Sequence, residues 1–157
     1  MMLLRVIFPI LAGGFVAFIF WNSSQNGEKS DQQSGGALEV MQRLFGAVGI
    51  PFPFSEHILR KTAHFLEYCG LGVLLTLTVR FYSVLWVPRV FIPGFFCLLV
   101  PVCDEFLQTF IPGRSGQMSD VLLDFSGAVT GICLTSLVIF LVDRRRRRKE
   151  DPVFYKY

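Results

Sequence analysis

Charge is the scarcest commodity in this sequence. Only 17% of its 157 residues are Asp, Glu, Lys or Arg, against about 25% in an ordinary soluble domain. Mean hydropathy is +0.51, which argues against a water-solvated globule. Period-two alternation is missing as well: the apolar runs are continuous, which excludes a closed β-barrel as the means of crossing a membrane. The cysteines Cys69, Cys97, Cys103 and Cys133 form no C-x-x-C pair. All lie in or near apolar runs and read as small apolar fillers, not as disulfide partners or metal ligands. No small-x-small cleavage signature follows the first apolar run, which continues F-I-F-W-N-S-S-Q, so an uncleaved helix is expected there and not a signal peptide. Outside one cluster near the end of the chain, basic residues are sparse and not interleaved with aromatics, which removes nucleic acid as a partner.

What is present is a set of apolar runs near the length of about 20 residues that a helix needs to cross a bilayer. The expected fold is an all-α integral membrane protein, a four-transmembrane-helix bundle in one domain over residues 1–143, followed by a basic tail over 144–157. The spans fall at about 3–21, 58–82, 90–110 and 120–142. Residues Asn22 to Gly36, rich in Ser, Gln and Gly, predict a flexible loop. Leu38, Met41, Leu44, Phe45 and Val48 then recur at helical spacing, predicting a short amphipathic helix in this first outer loop, ended by Pro51 and Pro53. Ser55 is a candidate N-cap for the next helix. Pro93, Gly94 and Pro101 interrupt the third run and predict a kink, and Pro112-Gly113 predicts a turn.

Arg5, Arg80, Arg89 and the basic run Arg144–Lys149 all fall on one side of such a bundle. The positive-inside tendency makes that side cytoplasmic, with both termini there, in the cytoplasmic membrane; Arg60 and Lys61 in the opposite loop run against the trend. The basic run would also meet anionic lipid.

The remaining polar residues gather at the other, outer side. His57, Lys61, His64 and Tyr68 recur along one stripe of the second span, with Glu67 three residues after His64 and so on its face. Asp104, Glu105 and Gln108 share a face if the third span continues through them. Arg114 follows the turn. On the fourth span Asp120 and Asp124 are four apart, and Gly127 and Gly131 extend the stripe as G-x-x-x-G, which lets a neighbouring helix approach closely. Each residue has a bland role by itself: Asp120 near a helix start, for example, stabilises the helix dipole by about 0.3–1 kcal/mol. Acids, a histidine, an amide and an arginine at one membrane level on three helices are harder to explain one by one. His64, Glu67, Tyr68, Asp104, Glu105, Gln108, Arg114, Asp120 and Asp124 are therefore the candidate binding pocket.

At these residues the chain resembles the VanZ-like family of bacterial membrane proteins. The matching pieces are S-S-Q (Ser23 to Gln25), K-T-A-H-F-L-E-Y-C-G-L-G (Lys61 to Gly72), D-E-F-L-Q-T-F-I-P-G-R (Asp104 to Arg114) and D-x-x-x-D-x-x-G-x-x-x-G (Asp120 to Gly131). The resemblance implies a multi-helix protein of the cytoplasmic membrane, linked to the cell envelope and, in the member that named the family, to resistance to the glycopeptide teicoplanin. Its implied signature residues are His64, Glu67, Tyr68, Asp104, Glu105, Gln108, Pro112, Gly113, Arg114, Asp120 and Gly127. The family often has Asn where Asp124 stands.

Three functions follow. The first is a binding or accessory protein taking a lipid-linked or glycopeptide ligand, with Arg114 and Lys61 suited to phosphate or carboxylate and the acids to amines and sugar hydroxyls. The second is an intramembrane enzyme acting on a lipid-linked envelope substrate by acid/base or metal-assisted chemistry, for which an oxygen-rich set with one His favours Mg, Mn or Ca over Zn. No metal ligand or cofactor is assigned. A transporter ranks last, because the second and fourth spans share no repeat pattern.

Overall fold

The structure, a computed structural model, describes residues 2–25, 27–47, 49, 53–83 and 85–150. Val48, Pro51 and the tail from residue 151 lie outside the described residues, as do the side chains of Arg148 and Lys149. The chain forms helices α1 (Met2–Ser23), α2 (Gly27–Ala47), α3 (Glu56–Tyr82), α4 (Trp86–Gln108) and α5 (Met118–Glu150), with no strand among the described residues. Four of the five, α1, α3, α4 and α5, are long and apolar enough to cross a membrane.

The spans bury little of themselves. Between 11% and 33% of each is covered by the rest of the protein, and large apolar side chains such as Ile10, Leu66, Phe91, Phe95, Leu122 and Val138 face outward. In water so wide an apolar surface would drive aggregation. In a bilayer it is the solvated surface, and the bundle is held instead by close packing and interhelical hydrogen bonds.

The helix ends follow local chemistry. The Ser55 hydroxyl accepts from the Ile58 N–H at 3.4 Å and caps α3. The third span begins at Trp86, earlier than residue 90, because Pro88 falls in its first turn, where a missing N–H breaks no helical bond. Pro93 and Pro101 lie within a single assigned helix of 23 residues; neighbouring helices can satisfy the carbonyls that such prolines free. The stretch expected to be a loop from Asn22 to Gly36 is mostly helical, since α2 begins at Gly27. It contains no proline, and its Glu, Lys and Gln residues favour helix strongly enough to carry Gly35 and Gly36 along. Among the described residues α2 touches α3 and no other helix. Helix α5 runs past Asp143 to Glu150, so the whole basic run is helical, with its cations at the C-terminal end that the helix dipole favours.

Helix α3 is central. It packs on α1, α4 and α5, and α4 also touches both α1 and α5, whereas among the described residues α1 and α5 do not meet. The α3–α5 seam is backbone against backbone. A Cβ on Gly127 would overlap the carbonyl oxygen of Phe65, and one on Gly131 that of Cys69. Around this seam lies the core of Ile19, Tyr68, Leu71, Cys97, Val100, Ala128 and Ile132. At the arginine-rich end, Arg80 pairs with Asp143 at 2.9 Å, the Arg89 Nε donates to the Ser83 carbonyl at 2.9 Å, and Phe8 stacks near Phe81 with ring centroids 5.1 Å apart.

Candidate polar cavity

Opposite that arginine-rich end, the α3 N-terminus, the α4 C-terminus and the α5 N-terminus meet, joined by the segment from Thr109 to Gln117. The turn Ile111–Arg114 decides the shape of this segment. The Arg114 N–H donates to the Ile111 carbonyl at 3.1 Å, and Gly113 has φ +79°, the left-handed value that position i+2 of a type II turn requires, with Pro112 before it. The chain reverses there and carries Arg114 back over the end of α4. Glu105 anchors the return: its Oε2 accepts from the Gln117 N–H at 2.8 Å.

The result is a cavity of about 230 Å³. Helix α3 contributes His57, Arg60, Lys61 and His64; α4 contributes Glu105 and Gln108; the return segment contributes Gly113, Arg114, Ser115 and Gln117; α5 contributes Asp120, Leu123 and Asp124. At a bulk-water share of about 30 Å³ each, that is room for about eight waters or one small polar group.

Charge is not mixed evenly within it. Lys61 bonds Asp120 at 3.0 Å, with both side chains about one-third exposed (36% and 33%). Arg60 and Arg114 are both close enough to His64 to act on it electrostatically. Asp124, one helical turn below Asp120, is 1% exposed, and neither of its oxygens has a hydrogen-bond partner. The nearest imidazole nitrogen, His64 Nδ1, is 3.9 Å from Asp124 Oδ1, too far for a hydrogen bond. The like charges acting on Asp124 are Asp104, Glu105, Asp120 and Glu67.

Six of the nine sequence candidates line the cavity: His64, Glu105, Gln108, Arg114, Asp120 and Asp124. Glu67, Tyr68 and Asp104 do not. They lie beside it around Asp104, which like Tyr68 is fully buried, while Glu67 is half-buried. Asp104 Oδ2 accepts from the Ser23 hydroxyl at 2.6 Å and from the Gln108 amide at 3.2 Å. The Tyr68 hydroxyl lies beside the Asp104 carboxylate and the Glu67 carboxylate beside Asn22, although Tyr68 Oη and Glu67 Oε1 fall short of full hydrogen-bond geometry. Among the described residues no group of three or more His, Cys, Asp or Glu is placed to hold a metal ion.

Sequence reasoning gave no site role to Arg60, Gln117 or Ser23. Arg60 was legible, being four residues before His64 and so on its face. Ser23 was visible only as part of S-S-Q, and Gln117 acts through its backbone, which carries no residue-type signal.

Comparison with known families matches residues 8–140 to the VanZ/LLP1 family model. No curated protein and no solved structure matches the chain.

Proposed function

This chain belongs to the VanZ/LLP1 family, and on that premise we propose that it is a membrane-embedded binding or accessory protein whose polar cavity opens on the extracytoplasmic side. The observation that carries this proposal is the convergence of Arg60, Lys61 and Arg114 with Glu105, Gln108 and Asp124 around one small space at a single end of the bundle. The cations suit a phosphate or carboxylate, with guanidinium offering the bidentate geometry. Its orientation rests on Arg5, Arg80, Arg89 and the α5 arginines at the opposite end, the end that faces the cytoplasm under the positive-inside tendency. There the basic run also meets anionic lipid.

The volume narrows the ligand. Pockets that enclose a drug-sized molecule run to about 300–1,000 Å³, and 230 Å³ is below that. A headgroup or the end of a lipid-linked envelope molecule fits, with the remainder left outside; a whole glycopeptide does not. A part in the envelope response to glycopeptides such as teicoplanin would then run through an envelope molecule held here. Native mass spectrometry of the chain purified in mild detergent tests this. The expected result is a retained lipid or lipid-linked molecule that bears a phosphate or carboxylate, reduced about tenfold by Arg114→Ala. Turnover of a lipid-linked substrate by the purified protein would overturn it.

That outcome would favour the second function, an acid/base enzyme. The observation behind it is the buried Asp124 carboxylate beside His64, a carboxylate–imidazole pair of the kind that moves protons.

A further inference from the structure

Resting on that function, we propose that the cavity selects zwitterionic headgroups, with a protonated primary amine seated on Asp124 at its floor and an anionic group on Arg60 and Arg114 above. Asp124 lines the cavity, is 1% exposed and has no hydrogen bond to either carboxylate oxygen. A buried acceptor left without a donor is costly, by about 1–3 kcal/mol and more when charged. Something that carries donors into the cavity would remove that cost.

The acids around Asp124 favour a cation as the donor. Asp104, Glu105 and Asp120 all add negative potential at Asp124. The lysine of the cavity is held one turn higher by Asp120, at 3.0 Å. Arg60 and Arg114 line the same cavity and act on His64, and neither is among the charges that act on Asp124. A primary ammonium presents three N–H donors to the two oxygens of Asp124. A trimethylammonium presents none and is larger. A phosphate or carboxylate a few bonds away from that amine would reach the guanidinium groups, and a phosphoethanolamine-sized group is what 230 Å³ accommodates.

The experiment is a set of binding titrations on the purified full chain. The probes are short-chain phosphatidylethanolamine, phosphatidylcholine and phosphatidic acid, with free phosphoethanolamine beside them. Phosphatidylethanolamine is expected to bind at least about tenfold more tightly than the other two lipids, the worth of one charge-assisted hydrogen bond. Asp124→Asn is expected to bring that preference below about twofold, and Asp124→Glu to retain it. If Asp124→Asn does not fold, the wild-type preference decides alone. Free phosphoethanolamine binding as tightly as its lipid assigns a soluble zwitterion; binding only when acylated assigns a lipid headgroup; both sustain the proposal. Phosphatidic acid binding as tightly as phosphatidylethanolamine overturns it and leaves the binding function standing. Absence of binding by every probe also overturns it, and the binding function then stands or falls on what native mass spectrometry finds retained.

Discussion

The hydroxyl of Ser23, at the end of α1, donates to Oδ2 of Asp104 on α4 at 2.6 Å, across 81 positions of sequence. It joins the first and third spans through a fully buried carboxylate. In a membrane protein, where apolar burial does not drive helices together, such polar links have an outsized part in fixing which helices meet.

Removing this link should be visible. Ser23→Ala removes the shorter of two bonds to Asp104 Oδ2 and leaves that from Gln108, at 3.2 Å. The expected cost is about 0.5–1.5 kcal/mol, the net worth of one hydrogen bond, because Oδ2 keeps its bond from Gln108. Thermal unfolding in detergent should show a lower midpoint for Ser23→Ala, and a smaller loss for Ser23→Thr, which keeps the hydroxyl.

The α3–α5 seam makes a second prediction, with an internal control. Gly131→Ala places a methyl group onto the Cys69 carbonyl and should destabilise by about 1–3 kcal/mol, the usual cost of overpacking. Gly94→Ala meets nothing within 4 Å, and alanine is the better helix former by about 1 kcal/mol, so this variant should be neutral or more stable. Equal effects of the two on the unfolding midpoint would refute the close approach.

A third prediction concerns the pair at the other end. Arg80 and Asp143 lie 2.9 Å apart with side chains 23% and 31% exposed. Being partly solvated, the pair contributes no more than about 1 kcal/mol. Arg80→Asp should lower the unfolding midpoint modestly, and the swapped double variant Arg80→Asp with Asp143→Arg should recover most of the loss. No recovery would mean that the pair does not form.

Much of this architecture is legible in the residues. Continuous apolar runs mark the four spans because a helix in lipid needs little else, and G-x-x-x-G at Gly127 and Gly131 announces a close neighbour. Depth and rotation are not legible. Spacing puts His64, Glu67 and Tyr68 on neighbouring faces of α3, yet only His64 reaches the cavity, because which arc of a helix faces a space depends on how its neighbours are turned. The Ser23–Asp104 link escapes for the same reason: no spacing rule connects residues on different helices. Helix α2 begins earlier than expected because composition suggested a loop where helix-forming Glu, Lys and Gln prevailed.

Orientation is checked by fusions at the C-terminus. A fluorescent protein that folds only in the cytoplasm should be bright there, and alkaline phosphatase, active only outside, should be inactive. The reverse pattern would place the cavity on the cytoplasmic face.

The central claim is that the cavity holds a ligand through Arg114. The most direct measurement is in-cell photo-crosslinking with p-benzoylphenylalanine at Gln117, which lines the cavity and bonds Glu105 only through its backbone N–H, and at Phe91, which faces outward on α4. An adduct is expected at position 117 that Arg114→Ala abolishes, while labelling of bulk lipid from position 91 is unchanged. An adduct at 117 that is indifferent to Arg114→Ala, or none at all, would contradict it.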